Sequence, residues 1–167
     1  QAIFEGQPLF KAHLTWTAGI DDLRFQGRRI GRECQLDLDI AIHPSDTGRI
    51  IVNYSKTEIV REISDIENNL VREALKLTGV KGGIHINSIA DIPSEGSGMG
   101  SSSSYVVGLL NALYAYQGKH IDAERLAREA CQIEIDILKK PIGKQDQYIA
   151  AYGGLEYIKF NSDDSVY

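Results

Sequence analysis

Between positions 92 and 104 the chain reads Ile-Pro-Ser-Glu-Gly-Ser-Gly-Met-Gly-Ser-Ser-Ser-Ser and then runs directly into an apolar helical stretch, Tyr105 to Tyr116. Glycines at alternate positions (Gly96, Gly98, Gly100) open backbone conformations closed to other residues and remove side chains that would hold an anion off the amides. The four serines fall where a helix begins, with its unpaired N–H groups and positive dipole end. A flexible linker is also rich in glycine and serine. This stretch, however, lies between a strand pattern and a helix pattern, which favours a phosphate cradle.

What the loop lacks narrows its type. A P-loop closes on Gly-Lys-Ser/Thr, but Ser101 follows Gly100. A dinucleotide fingerprint started at Gly96 needs a third glycine at 101. A nucleophile elbow centred on Ser97 needs glycine where Glu95 and Met99 stand.

The rest of the chain reads as one α+β domain of 167 residues. Strands are expected at Lys11–Thr17, Leu36–His43, Arg49–Tyr54 and Gly83–Ala90, and a last one at Leu155–Phe160. The second and third are read as an antiparallel hairpin across Pro44–Gly48. Ser64-Asp65-Ile66-Glu67 has capping-box spacing and predicts a helix to Gly79. A helix follows the serines as far as Gly118. Another starts from Asp122 and runs to about Lys139, ahead of Pro141. Gly143–Tyr152 reads as the first turns of a further helix.

The net charge of −5 leaves no basic excess for nucleic acid. No run nears the roughly 18 apolar residues of a membrane span. Two cysteines, Cys34 and Cys131, make neither a disulfide framework nor a zinc pair, so a reduced, cytoplasmic setting is the default. The four histidines show no ligand spacing and read as structural or exposed.

Two carboxylates stand out. Ala127, Cys131, Glu134 and Leu138 share one helical stripe, so Glu134 is a stripe-edge residue, a salt-bridge partner of Lys144, or a Mg²⁺ ligand beside phosphate oxygens. Asp146, in Gly143-Lys144-Gln145-Asp146-Gln147-Tyr148, belongs either to a plain capped turn or to a site that orients a hydroxyl in phosphoryl transfer.

Pro93 followed by Gly96-Ser97-Gly98-Met99-Gly100-Ser101-Ser102 resembles the phosphate loop of the GHMP small-molecule kinases. Tyr54-Ser55-Lys56-Thr57-Glu58, Gly143–Tyr148 and Ala151-Tyr152-Gly153-Gly154 are similar to the heptose 7-phosphate kinase branch. The resemblance covers about residues 50 to 160.

It implies a two-layer sandwich like domain 2 of ribosomal protein S5 and ATP- and Mg²⁺-dependent phosphorylation of a sugar or sugar phosphate. Pro93, Gly96, Ser97, Gly98, Met99, Gly100, Ser101, Ser102 and Ser103 would then bind ATP. Ser102 and Glu134 would hold Mg²⁺. Asp146, with Lys144 beside it, would serve the acceptor hydroxyl, and Asp22 and Gly153 would contact substrate.

Three departures accompany the resemblance. Thr17–Leu23 matches the family's opening turn poorly and residues 1–35 diverge. The Pro93–Gly98 spacing is one residue longer than the family's, and Glu95 adds negative charge. The chain is expected to form the N-terminal domain without the C-terminal one. A non-catalytic nucleotide-binding or self-associating (homodimeric) module is the competing expectation. A dinucleotide-binding oxidoreductase is a third reading, and it lacks an acidic residue placed for a ribose.

Overall fold

The computed structural model describes residues 10–19, 33–90, 100–154, 158–161, 163 and 165–166, with backbone alone at 10–19 and 33–37. Five strands form one sheet: β1 (Phe10–Gly19), β2 (Glu33–Pro44), β3 (Ile50–Asn53), β4 (Thr57–Val60) and β5 (Ile84–Ala90). Their order across the sheet is β1-β2-β5-β3-β4. Pairing is antiparallel except between β3 and β5.

This order overturns the expected β2–β3 hairpin. β5 lies between the two strands, pairing Ile42 with Ile86 on one side and Val52 with Ile86 on the other. The loop that looked like a hairpin turn is tied across instead, Ser45 N donating to Gly83 O at 2.7 Å. β3 turns tightly into β4, with Tyr54 N donating to Lys56 O at 2.9 Å. Local turn chemistry marks where a chain reverses, but strand neighbours follow from which apolar faces share a core.

Alternation then sorts the sheet. Leu38, Ile40, Ile42, Ile50, Val52, Ile84 and Ile86 are buried on one face, beneath the helices. The opposite face carries a polar ladder. Asn53 Nδ2 donates to Asn87 Oδ1 at 2.7 Å and lies 2.8 Å from His85 Nε2, and the His43 and His85 rings sit 4.5 Å apart. Burial, then the nearby His43, push His85 below its ordinary pKa.

Helix α1 spans Asn69–Thr78, α2 Ser101–Tyr116, α3 Ala123–Cys131 and α4 Gln145–Tyr152. α1 begins at Asn69, five residues after Ser64, the expected cap. Glu67 N, the amide Ser64 would have bonded, donates to Glu58 Oε2 at 2.6 Å, and Asn68 caps the helix by accepting from Leu70 N and Val71 N. Gly79, at φ 74°, ends α1 as expected, and Asp122 caps α3 by accepting from Arg125 N at 2.8 Å.

Ten of the sixteen residues of α2 are buried, so it is the central helix of the helical layer. α3 does not continue as an α-helix to Lys139: it widens into a π-turn at Gln132–Ile137. Residues 158–160, the described part of the expected last strand, make only an isolated bridge from Phe160 to Val166. Among the described residues no helix is long and apolar enough to cross a membrane.

Candidate active site

The start of α2, the π-turn and the start of α4 converge on Glu134. Its carboxylate is fully buried, and four side chains donate to it. Ser102 Oγ donates to Oε1 at 2.5 Å and Ser103 Oγ to Oε2 at 2.7 Å. Gln147 Nε2 donates to Oε2 at 2.7 Å. Lys140 Nζ reaches both Glu134 Oε1, at 3.0 Å, and Ser102 Oγ, at 2.6 Å. Burial by itself would raise the Glu134 pKa, but these donors hold it below the ordinary glutamate value.

The backbone explains how Glu134 and Lys140 meet. The i→i+5 bond from Leu138 N to Ile133 O widens the helix and lets Ile133 and Glu134 both turn inward. Lys139 then adopts φ 54°, the left-handed conformation usually left to glycine at a helix end. That reversal returns Lys140, whose N–H donates to Glu134 O at 2.9 Å, over the carboxylate. Lys140 is thus a cation paired with Glu134; Lys144, one of the alternatives read from sequence, occupies the N-cap of α4, and its charge is felt at Cys131. Burial pushes the Cys131 thiol up to about 12 all the same, leaving it unreactive.

Asp146 stands in the first turn of α4, exposed, with its carboxyl against Gly100. A Cβ at Gly100 would lie 3.1 Å from both Asp146 Cγ and Oδ2, so a larger residue would push the carboxyl aside by a few tenths of an ångström, and φ 73° itself favours glycine. As glycine, Gly100 has no side chain to cap α2, and among the described residues no side chain caps that helix start. Desolvation of the carboxyl end, reinforced by the charge of Glu134, raises the Asp146 pKa.

Six of the sequence candidates thus fall within the described site region: Gly100, Ser101, Ser102, Ser103, Glu134 and Asp146 line the α2–α4 junction, with Lys144 at its rim. Gly153 ends α4, at the far end of that helix. Pro93, Gly96, Ser97, Gly98, Met99 and Asp22 lie outside the described residues.

Lys140 and Gln147 were missed as partners of Glu134. Gln147 carried a signal, an amide next to Asp146. Lys140 carried none, because a lysine in the left-handed position before it hides the helix-ending motif.

Among the described residues no cluster of three His, Cys, Asp or Glu side chains is present. The donors that are present still suit a hard cation. Glu134 and Ser102 offer oxygens, and Gln147 Oε1, buried beside them, has no hydrogen-bond partner among the described residues.

Residues 53–154 match the family described as GHMP kinases N terminal domain. Over 81 residues the chain is 35% identical to D-glycero-alpha-D-manno-heptose 7-phosphate kinase of Campylobacter jejuni subsp. jejuni serotype O:2, a match covering 48% of the chain and 24% of that protein. It is 32% identical over 110 residues to a galactokinase of Pyrococcus furiosus, covering 58% and 30%. The crystal structure of a D-glycero-D-manno-heptose 1-phosphate kinase from Bacteroides thetaiotaomicron superposes with a TM-score of 0.69 at 26% identity, over 95% of this chain and 57% of that one. The matches thus span less than a third of each curated relative and little more than half of the solved structure.

Proposed function

The chain belongs to the GHMP kinase N-terminal domain family, and from that premise we propose that the protein transfers a phosphoryl group from ATP to a hydroxyl of a sugar or sugar phosphate, with a heptose phosphate as the preferred acceptor. The observation that carries this reading is the meeting of Ser102, Glu134 and Asp146 at the start of α2. The two heptose kinases among the relatives act, by name, on a 7-phosphate and a 1-phosphate, so heptose is the element they share.

The amides of the first turn of α2, with the dipole behind them, bind phosphate oxygens. Ser102 and Glu134 would hold Mg²⁺, which when bound neutralises charge on the phosphates. Ser103 and Gln147 hold the second carboxylate oxygen and so fix the direction of the first. Asp146 is more basic than an ordinary aspartate and faces the phosphate-binding turn, a position that suits orienting the acceptor hydroxyl and taking its proton. Phosphoryl transfer needs mostly this positioning and charge balance.

In the intact protein, phosphotransfer over a panel of sugars and sugar phosphates tests the proposal. Asp146→Asn should lower kcat by about 100- to 10,000-fold with ATP affinity unchanged. Equal loss of binding and turnover would remove Asp146 from this role. ATP binding without transfer to any acceptor would favour the non-catalytic module.

A further inference from the structure

We propose that Lys140 is the resident counter-ion of the Ser102–Glu134 pair, so that a divalent cation enters the site only by exchange with the Lys140 ammonium. The inference deepens the preceding section and rests on its assignment of Ser102 and Glu134 as metal-holding residues.

The geometry carries it. Lys140 Nζ lies 2.6 Å from Ser102 Oγ and 3.0 Å from Glu134 Oε1, at the point where those two oxygens converge. A hard divalent ion would take the same lone pairs at roughly 2 Å. Two cations cannot share that point, because like charges a few ångströms apart in a poorly hydrated site repel strongly. The mobilities of the partners are unequal. The Glu134 side chain is 0% exposed and the Lys140 side chain 28%, so the lysine can leave to solvent while the carboxylate stays.

The ammonium is also placed by the chain rather than drawn in by chance. Left-handed Lys139 turns the backbone, and the bond from Lys140 N to Glu134 O at 2.9 Å holds Lys140 over the acid. A fully buried carboxylate without a cation is costly, and Lys140 covers that cost whenever no metal is bound. A site so arranged keeps Glu134 ionised and Ser102 oriented ahead of the metal. The corresponding cost is a lower apparent metal affinity, because the ammonium competes.

The test is Mn²⁺ binding to the intact protein followed by electron paramagnetic resonance, with and without ATP. Lys140→Met and Lys140→Gln should each tighten Mn²⁺ binding on the order of tenfold, a coupling of ordinary size. Lys140→Gln keeps a hydrogen-bond donor for both oxygens, which protects the fold, and thermal melts verify it. In the unsubstituted protein, saturating Mn²⁺ should speed acylation of Lys140 relative to Lys76, read by mass spectrometry. If the protein binds Mn²⁺ and the variants bind no tighter, or Lys140 reactivity does not move, the exchange is wrong while the kinase reading stands. If neither protein nor variants bind Mn²⁺ with ATP, both readings fall.

Discussion

Glu58 and Glu134 are both buried carboxylates, 8% and 0% exposed, and both are held below the ordinary glutamate pKa against the opposing effect of burial. They differ in what holds them. Glu58 accepts from the backbone amides of Glu67 and Asn68, at 2.6 and 3.1 Å, and from Tyr54 Oη at 2.6 Å. Two of its three donors are main chain that cannot leave without unfolding the entry to α1. Every side-chain partner of Glu134 is a hydroxyl, an amide or an ammonium that a rotamer change can withdraw. The first carboxylate is built into the fold. The second is satisfied in an exchangeable way, which is what a ligand site requires.

The largest test sets the two against each other. Glu134→Gln should abolish metal-dependent turnover, beyond the roughly 10- to 100-fold typical of groups that only orient ligands, with a small change in melting temperature. Glu58→Ala should do the reverse. It takes the carboxylate from the amides of Glu67 and Asn68 and costs about 1–3 kcal/mol in denaturant unfolding, with kcat per folded molecule unchanged. A Glu58 variant that folds normally but turns over slowly would break the contrast.

Gly100→Ala comes next. It forces a side chain into φ 73° and against Asp146, costing about 1–2 kcal/mol and displacing the carboxylate, so kcat should fall in protein that still folds.

Acid unfolding then sharpens the comparison. The depressed pKa values of Glu58 and Glu134 give stability that is present above the ordinary value of 4.5 and lost as pH falls through their lower folded values. Glu134→Gln and Glu58→Ala should each flatten that acid limb. Asp146 has the opposite sign. Its contribution is complete below 3.8 and lost as pH rises through its raised folded value, so Asp146→Asn should be neutral or stabilising at pH 7.

The smallest expected effect is Lys139→Gly. It relieves the left-handed strain for a gain of at most about 1 kcal/mol, read by thermal unfolding, and leaves Glu134 paired if the turn itself places Lys140.

Much of the site was legible in residues near one another in the chain. The glycine-serine run announced a helix start, Asp122 and Gly79 marked their helix ends, and Glu134 and Asp146 were conspicuous as acids in unusual settings. The capping box at Ser64 misled because Glu58, nine positions before Glu67, takes the amide that the box required. The β2–β3 hairpin misled because turn chemistry is local while strand adjacency is not.

Sequence alone determined the periodicities, the helix ends at Gly79 and Asp122, the φ-permissive turns and membership of the α+β class, since each depends on interactions within a few residues. Only the tertiary structure decided that β5 enters between β2 and β3, and that Ser102 and Lys140 meet over Glu134. Those outcomes depend on contacts between segments far apart in the chain, as with Ser102 and Lys140, 38 positions apart. Such contacts are chosen by which faces pack together, and no local pattern encodes that choice.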